Sequence, residues 1–188
     1  MSTKYKVRNT DNAHFITITT VKWVDLFTRL EQKKNIIESL EYCQKNKGLE
    51  IYAFVIMPSH IHLMCRSTGE IALQDIMRDF KKFTSKKIIQ SVTEGNESRR
   101  KWLLDIFKES CAHFKREQQY KVWQDGYHAE ELQSNKFIYQ KLNYIHQNPV
   151  VDGIVERSEE YFYSSARNYA DLNGVMQVVV LPPRLITF

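Results

Sequence analysis

Apolar and polar positions alternate at the start of the chain. Residues 14–24, HFITITTVKWV, put β-branched and aromatic side chains at nearly every second position, which predicts a strand with one buried face. The period then changes. Leu30, Ile36, Ile37, Leu40 and Cys43 recur at helical spacing over residues 30–46, and Asn46-Lys47-Gly48 supplies a stop. Leu49 to Met57 is almost wholly apolar and predicts a buried strand. Pro58-Ser59 punctuates, and His60 to Arg66 predicts a second strand, so the two form a hairpin. After Gly69, Leu73, Ile76, Met77, Phe80, Phe83 and Ile88 make the apolar stripe of a long helix. Residues 92–97 read as a break, and Trp102, Leu103, Ile106, Phe107 and Phe114 as a further helix. Residues 120–132, with Val122, Trp123, Tyr127 and Leu132, predict a strand and a following loop. A last helix starts near Ser134 and is expected to end at Pro149, because a proline ring clashes with a continuing helix. Val175 to Leu181 predicts a short final strand.

The order is therefore β-α-β-β-α-(α)-β-α with a tail. Its first part is the βαββαβ pattern of a ferredoxin-like α+β fold, an antiparallel sheet with helices on one face. A chain of 188 residues fits one domain. Neither a repeat nor a low-complexity stretch interrupts it.

Composition removes several classes. The longest apolar run, Ile51 to Met57, is far too short to span a bilayer. The N-terminal residues MSTKYKVRNTDNAHF lack an apolar secretory core, and Cys43, Cys65 and Cys111 form no CxxC pair. A cytoplasmic protein with idle thiols and no membrane partner is expected. With 27 Lys+Arg against 22 Asp+Glu, the net charge of +5 is compatible with a polyanion partner.

Three features carry chemistry. His60-Ile61-His62 lies on a predicted strand, where residues two apart share a face, so both imidazoles project together and suit a divalent metal. Surface histidines that bind nothing share that pattern. In SNKFIYQKLNYIHQNP, Gln140, Tyr144 and Asn148 fall on one helical stripe, placing a phenol and a carboxamide one turn apart. An amphipathic helix with its Tyr at the core rim has the same appearance. Arg78, Lys82 and Lys86 recur every four residues, with Lys81 and Lys87 beside them. Arg99-Arg100-Lys101 and Lys115-Arg116 follow, and aromatics that include Trp123 are interleaved. Basic residues neutralise phosphates and exposed aromatic faces stack on unpaired bases, although a solvated helix face also accounts for the charge.

Together these features outline phosphoryl transfer to a tyrosine. A metal on the histidine pair polarises the scissile phosphate, and the Tyr144 oxygen attacks in line. A phenol ionises near pH ~10, so it also leaves readily when a DNA 3′-hydroxyl re-attacks. No nucleotide motif, GxxxxGK[ST] or GxGxxG, is present.

Several segments carry a family resemblance: AFVIMPSHIH (53–62), IMRDFKKFTS (76–85), VWQDGY (122–127), KLNYIHQNPV (141–150) and YFYSS (161–165). In these the chain resembles the single-tyrosine HUH transposases, and within them the REP-associated tyrosine transposases, over a core of about residues 12–170. The resemblance implies one transposase-like domain spanning residues 1–188, with a helical insertion at about 92–119 and a C-terminal extension at about 171–188. It implies cleavage and rejoining of single-stranded, hairpin-forming DNA through a 5′-phosphotyrosine, with Mg²⁺ or Mn²⁺. Carried over, Tyr144 is the nucleophile, and His60, His62 and Asn148 are the metal ligands. Asn148 stands where the insertion-sequence branch has Gln. Charge and resemblance together assign nucleic-acid binding to Arg78, Lys81, Lys82, Ser85, Lys86 and Trp123. Monomer and homodimer both stay open. A module that holds structured DNA or RNA without cutting it fits the same basic and aromatic content.

Overall fold

The computed structural model describes residues 12–111 and 119–182. Strand β1 (His14–Thr19) is followed by helix α1 (Leu30–Lys47), the hairpin β2 (Leu49–Ile56) and β3 (His60–Ser67), and the long helix α2 (Leu73–Glu94). Next come α3 (Arg100–Glu109), β4 (His128–Glu131), α4 (Asn135–Val151) and the short α5 (Ala166–Tyr169). The four strands form one antiparallel sheet in the order β2-β3-β1-β4, the ferredoxin-like arrangement.

Alternation assigns the two faces. Ile16, Ile18, Phe54, Ile56, Ile61 and Leu63 point to one side. There they bury against Ile36 and Leu40 of α1 and Ile76, Met77 and Phe80 of α2. Their neighbours in register, Phe15, Ala53, Val55, Met57 and Met64, point to the other side. Leu142 and Ile145 of α4 cover them there. The sheet is thus covered on both faces rather than one: β1 and β3 are central strands whose second face needs its own cover, and α4 supplies it.

Gly48 ends α1 in the left-handed region (φ +69°), its N–H donating to the Cys43 carbonyl. A Cβ there would lie 2.8 Å from the Gly69 nitrogen, so both conformation and space require glycine. Helix α2 runs through Val92 to Glu94, so the break starts at Gly95. Leu103 and Phe107 of α3 are fully buried in the main core, which makes α3 part of that core. Phe114 and Lys115-Arg116 lie outside the described residues. Val122 and Trp123 do not extend β4; Trp123 makes one bridge to Thr20.

Helix α4 passes through Pro149 to Val151 instead of stopping there. Proline lacks one N–H, so near a helix end it forfeits a single backbone bond. Burial of the Pro149 ring accompanies this, and its carbonyl accepts from Ile154 N at 2.8 Å. The predicted strand at Val175–Leu181 is not a ladder: Val179 N donates to the Ile51 carbonyl at 2.9 Å, and no strand is assigned. The outer edge of β2 is instead closed by residues 163–165. Ile56 N donates to Tyr163 O at 3.0 Å, and Ser165 N to Phe54 O at 2.9 Å. Capping an edge in this way blocks strand addition by another chain.

Candidate active site and nucleic-acid groove

His60 and His62 sit on β3 opposite Thr19 and Thr17 of β1. Their ring centroids are 4.7 Å apart. Strand geometry aims both at the face that α4 covers. His62 is only 4% exposed. Its Nδ1 hydrogen-bonds Thr17 Oγ1 at 2.9 Å, and the Phe15 ring stacks on it at 5.2 Å and 24°. Its Nε2 is buried with no hydrogen-bond partner among the described residues. Burial, and then the nearby His60 and Lys141 charges, push its pKa down to about 3. Burial also lowers His60, against the pull of Asp152. Both imidazoles are therefore neutral at pH 7, the form that ligates a metal.

Helix α4 brings the phenol. Ser134 caps it, its side chain accepting from Phe137 N, and the buried Leu142, Ile145 and Pro149 pin one side to the sheet. Tyr144 comes off the adjoining side, 48% exposed. Its ring lies 5.2 Å from His62 and 5.8 Å from Phe15, edge-on to both. Asn148 follows one turn later. Its Nδ2 donates to the Tyr144 carbonyl at 3.1 Å, which leaves Oδ1 as the amide's acceptor. A cleft of about 540 Å³ is lined by Tyr144, Asn148, both histidines, Thr17 and Trp23, among others.

Three further residues of this cleft carry charge or hydrogen-bonding capacity that the sequence did not flag. Lys141 Nζ donates to Glu130 Oε1 at 2.7 Å, 4.3 Å from the Phe15 ring centre and 5.9 Å from that of Tyr144. His128 Nε2 meets the same Glu130 oxygen at 3.0 Å. Burial alone raises the Glu130 pKa; its bonds to Lys141 and His128 outweigh that and hold it low. The i, i+3 spacing of Lys141 and Tyr144 was the available signal for the lysine. Nothing local pointed to Glu130 or Thr17, which arrive through strand register.

Three other tyrosines near α4 and the β2 edge are engaged elsewhere. Tyr161 donates to Ile56 O at 2.8 Å, Tyr169 to Tyr52 O at 3.1 Å, and Tyr139 to Pro182 O. His146 turns inward, where its Nε2 meets Ser165 Oγ at 2.9 Å and its ring packs against Tyr169.

On the opposite face of the sheet, α2 and residues 119–126 enclose a groove of about 1330 Å³ lined by Arg78, Lys82, Ser85 and Lys86. Lys82 and Lys86 are exposed. Arg78 is exposed too and pairs with Asp75 and Asp79 of its own helix. Lys81 and Trp123, also expected here, line the groove as well, but each is engaged within the protein. Lys81 turns inward and donates to Gln124 O at 2.8 Å and also to Gly126 O. Burial depresses its pKa to about 8, with Asp125 pulling it up. These bonds tie the loop at 124–126 to α2. Trp123 is 3% exposed, with Nε1 donating to Thr84 Oγ1 at 3.0 Å and its ring stacked on Phe27. It has no free face for a base.

The histidine pair fits a metal site on one observation, the unpartnered Nε2 of His62. A buried ring nitrogen without a partner is costly unless something meets it, and two neutral imidazoles in one cleft with a carboxamide fit a divalent cation that keeps waters. Among the described residues no third His, Cys, Asp or Glu completes a ligand cluster. A cation bound by the pair would need a carboxamide or water to complete its shell. Chemically, the arrangement can hold a cation and bring a phenol to a phosphate beside it.

A ferredoxin-like sheet carrying such a site is an architecture for phosphoryl transfer. The family model for IS200-like transposases matches residues 8–107, and the chain belongs to that family. The match covers His60, His62 and α2 and ends before α4. The solved structure of a REP-associated tyrosine transposase bound to a REP hairpin is similar over 100% of both chains, at 17% identity and a TM-score of 0.64. A candidate transposase of Deinococcus radiodurans R1 is similar over 77% of this chain and 95% of its own, at 16% identity and a TM-score of 0.42. No curated protein sequence matches the chain.

Proposed function

We propose that this transposase is a metal-dependent enzyme of the REP-associated kind. It cuts single-stranded DNA next to a hairpin and rejoins it through a covalent 5′-phosphotyrosine at Tyr144. The observation that carries this is the Tyr144 ring 5.2 Å from His62, whose buried Nε2 has no partner among the described residues.

Bound by His60, His62 and the Asn148 carboxamide, Mg²⁺ or Mn²⁺ would polarise the scissile phosphate and offset the charge of the transition state. Thr17 holds the His62 tautomer through Nδ1, and Phe15 holds its ring plane. Tyr144 attacks phosphorus: the bond from its oxygen to phosphorus forms, the bond to the DNA 3′-oxygen breaks, and the phenolic proton passes to solvent. Lys141, anchored by Glu130, holds a positive charge 5.9 Å from the Tyr144 ring centre, which favours loss of the phenolic proton and, in the reverse step, departure of the phenolate. Reversal by an incoming 3′-hydroxyl rejoins the strand and conserves the bond energy.

Lys82, Lys86, Arg78 and Ser85 give the groove a basic lining that suits a phosphate backbone, and a hairpin stem is the occupant suggested by the similarly folded transposase.

Intact-mass measurement after incubation with a hairpin-flanked single strand and Mn²⁺ tests the proposal. Wild type forms a protein–DNA adduct; Tyr144→Phe and EDTA-treated wild type do not. An adduct on Tyr144→Phe overturns the nucleophile. DNA binding without any wild-type adduct supports the non-cutting module instead.

A further inference from the structure

Trp23 is the most conspicuous side chain at the cleft that neither the fold nor the phosphoryl-transfer chemistry explains. It is 60% exposed, although a large aromatic normally buries most of its area. Its backbone and that of Lys22 both lie in the left-handed region, at φ 54° and 49°. Two successive non-glycine residues there are sterically disfavoured and persist only when their surroundings impose them.

Those surroundings are identifiable. Val21 and Val24, on either side, are buried in the main core. Val21 N donates to the Val122 carbonyl at 2.8 Å, and Thr20 Oγ1 donates to the Val24 carbonyl at 2.8 Å. Lys22 Nζ donates to Glu109 Oε2 of α3 at 2.7 Å. The chain is pinned at both ends of a tight turn, and the turn pushes the indole out over the cleft. Its ring lies edge-on to His60 at 5.7 Å. Trp102, also exposed, differs: the Arg99 guanidinium already lies 5.7 Å from its ring centre.

We infer that Trp23 is a stacking platform for an unpaired nucleobase adjoining the phosphate held at the histidine pair. The inference rests on the single-strand substrate proposed above. A base is one sugar away from its own phosphate, and Trp23 is one ring away from His60, so both groups of one nucleotide fit within the cleft. Indole faces stack on any base, which supplies affinity without sequence preference. Strain in the turn has a use here, because it pre-orients the ring before DNA arrives.

The test is binding of oligothymidylate and of an abasic oligomer of equal length to the full chain in EDTA, read by fluorescence anisotropy. Trp23→Ala is expected to weaken oligothymidylate binding by about tenfold or more. Trp23→Phe should recover most of the loss, and the abasic oligomer should bind wild type and Trp23→Ala alike. Irradiation of wild type with a 5-iododeoxyuridine-substituted strand should place the cross-link on Trp23. Equal oligothymidylate binding by Trp23→Ala, an equal loss on the abasic oligomer, or cross-links only at other residues overturns the inference. Thermal melting of the variants confirms folding, since the side chain is exposed. Because chemistry is not needed for this readout, failure of the Tyr144 adduct leaves the stacking result standing, and the reverse also holds.

Discussion

The imidazole of His62 and the phenol ring of Tyr144 stand 5.2 Å apart at an interplanar angle of 65°, although 82 positions separate them in the chain. One comes from the sheet and the other from the helix above it. Phe15 touches both rings, so the pair is held by an apolar wall on one side and is open to the cleft on the other.

Burial of His62 makes stability depend on acid. In the unfolded chain the residue ionises near pH 6.5, and in the fold only near pH 3. Between these values the unfolded chain binds a proton that the folded chain refuses. His62 therefore costs no stability above pH 6.5 and drains it progressively as pH falls towards 3. Its share of the loss between pH 7 and pH 5 is about 2 kcal/mol. Urea denaturation in EDTA should show wild type losing that amount relative to His62→Phe, which also removes the unpartnered Nε2. The same variant should form no adduct. An identical pH slope in both proteins would mean that His62 titrates normally.

Metal binding should appear as stabilisation before any DNA is added. Mn²⁺ at a hundred times its dissociation constant is expected to raise wild-type stability by about 2.7 kcal/mol. His62→Phe should lose this response, and Asn148→Ala should need more Mn²⁺ to reach it. Calorimetric titration supplies the constants. Unchanged affinity in Asn148→Ala removes the carboxamide from the ligand set.

Lys141 tests how the phenol is assisted. Lys141→Met should slow adduct formation by about tenfold to a hundredfold, with Lys141→Arg intermediate. Leaving Glu130 without its lysine should also lower stability by about 1–2 kcal/mol, readable by denaturation. A full-speed variant would reduce the Lys141–Glu130 pair to a structural tie.

The groove lysines should separate by role. Lys82→Ala and Lys86→Ala each remove a phosphate contact, so each should lower the slope of log affinity against log salt by about one. Lys81→Met should leave that slope unchanged and lower stability by about 1–3 kcal/mol, because two carbonyls lose their donor. A changed slope in Lys81→Met would return that ammonium to the DNA surface.

Much of the fold was legible because it is local. The period-two pattern around Ile16 and Ile18 and the helical stripe through Ile76 and Phe80 mark the elements correctly, and Gly48 marks the end of α1. Pro149 was misleading, since one forfeited backbone bond does not by itself stop a helix, and here the ring is buried. Trp123 was misleading because an aromatic beside basic residues looks the same in sequence whether its face is open or stacked on Phe27.

Spacing alone determined that His60 and His62 share a face and that Tyr144 and Asn148 share a stripe, because a side chain's direction follows from its own backbone period. Tertiary structure decided which sheet face α4 covers, hence that the phenol meets the histidines. It also decided that His62 Nε2 is left without a donor, that Lys81 turns inward, and that Trp23 stands out over the cleft. These outcomes depend on groups far away along the chain. Solvent exclusion and hydrogen-bond satisfaction are properties of the packed whole, and no window of sequence contains them.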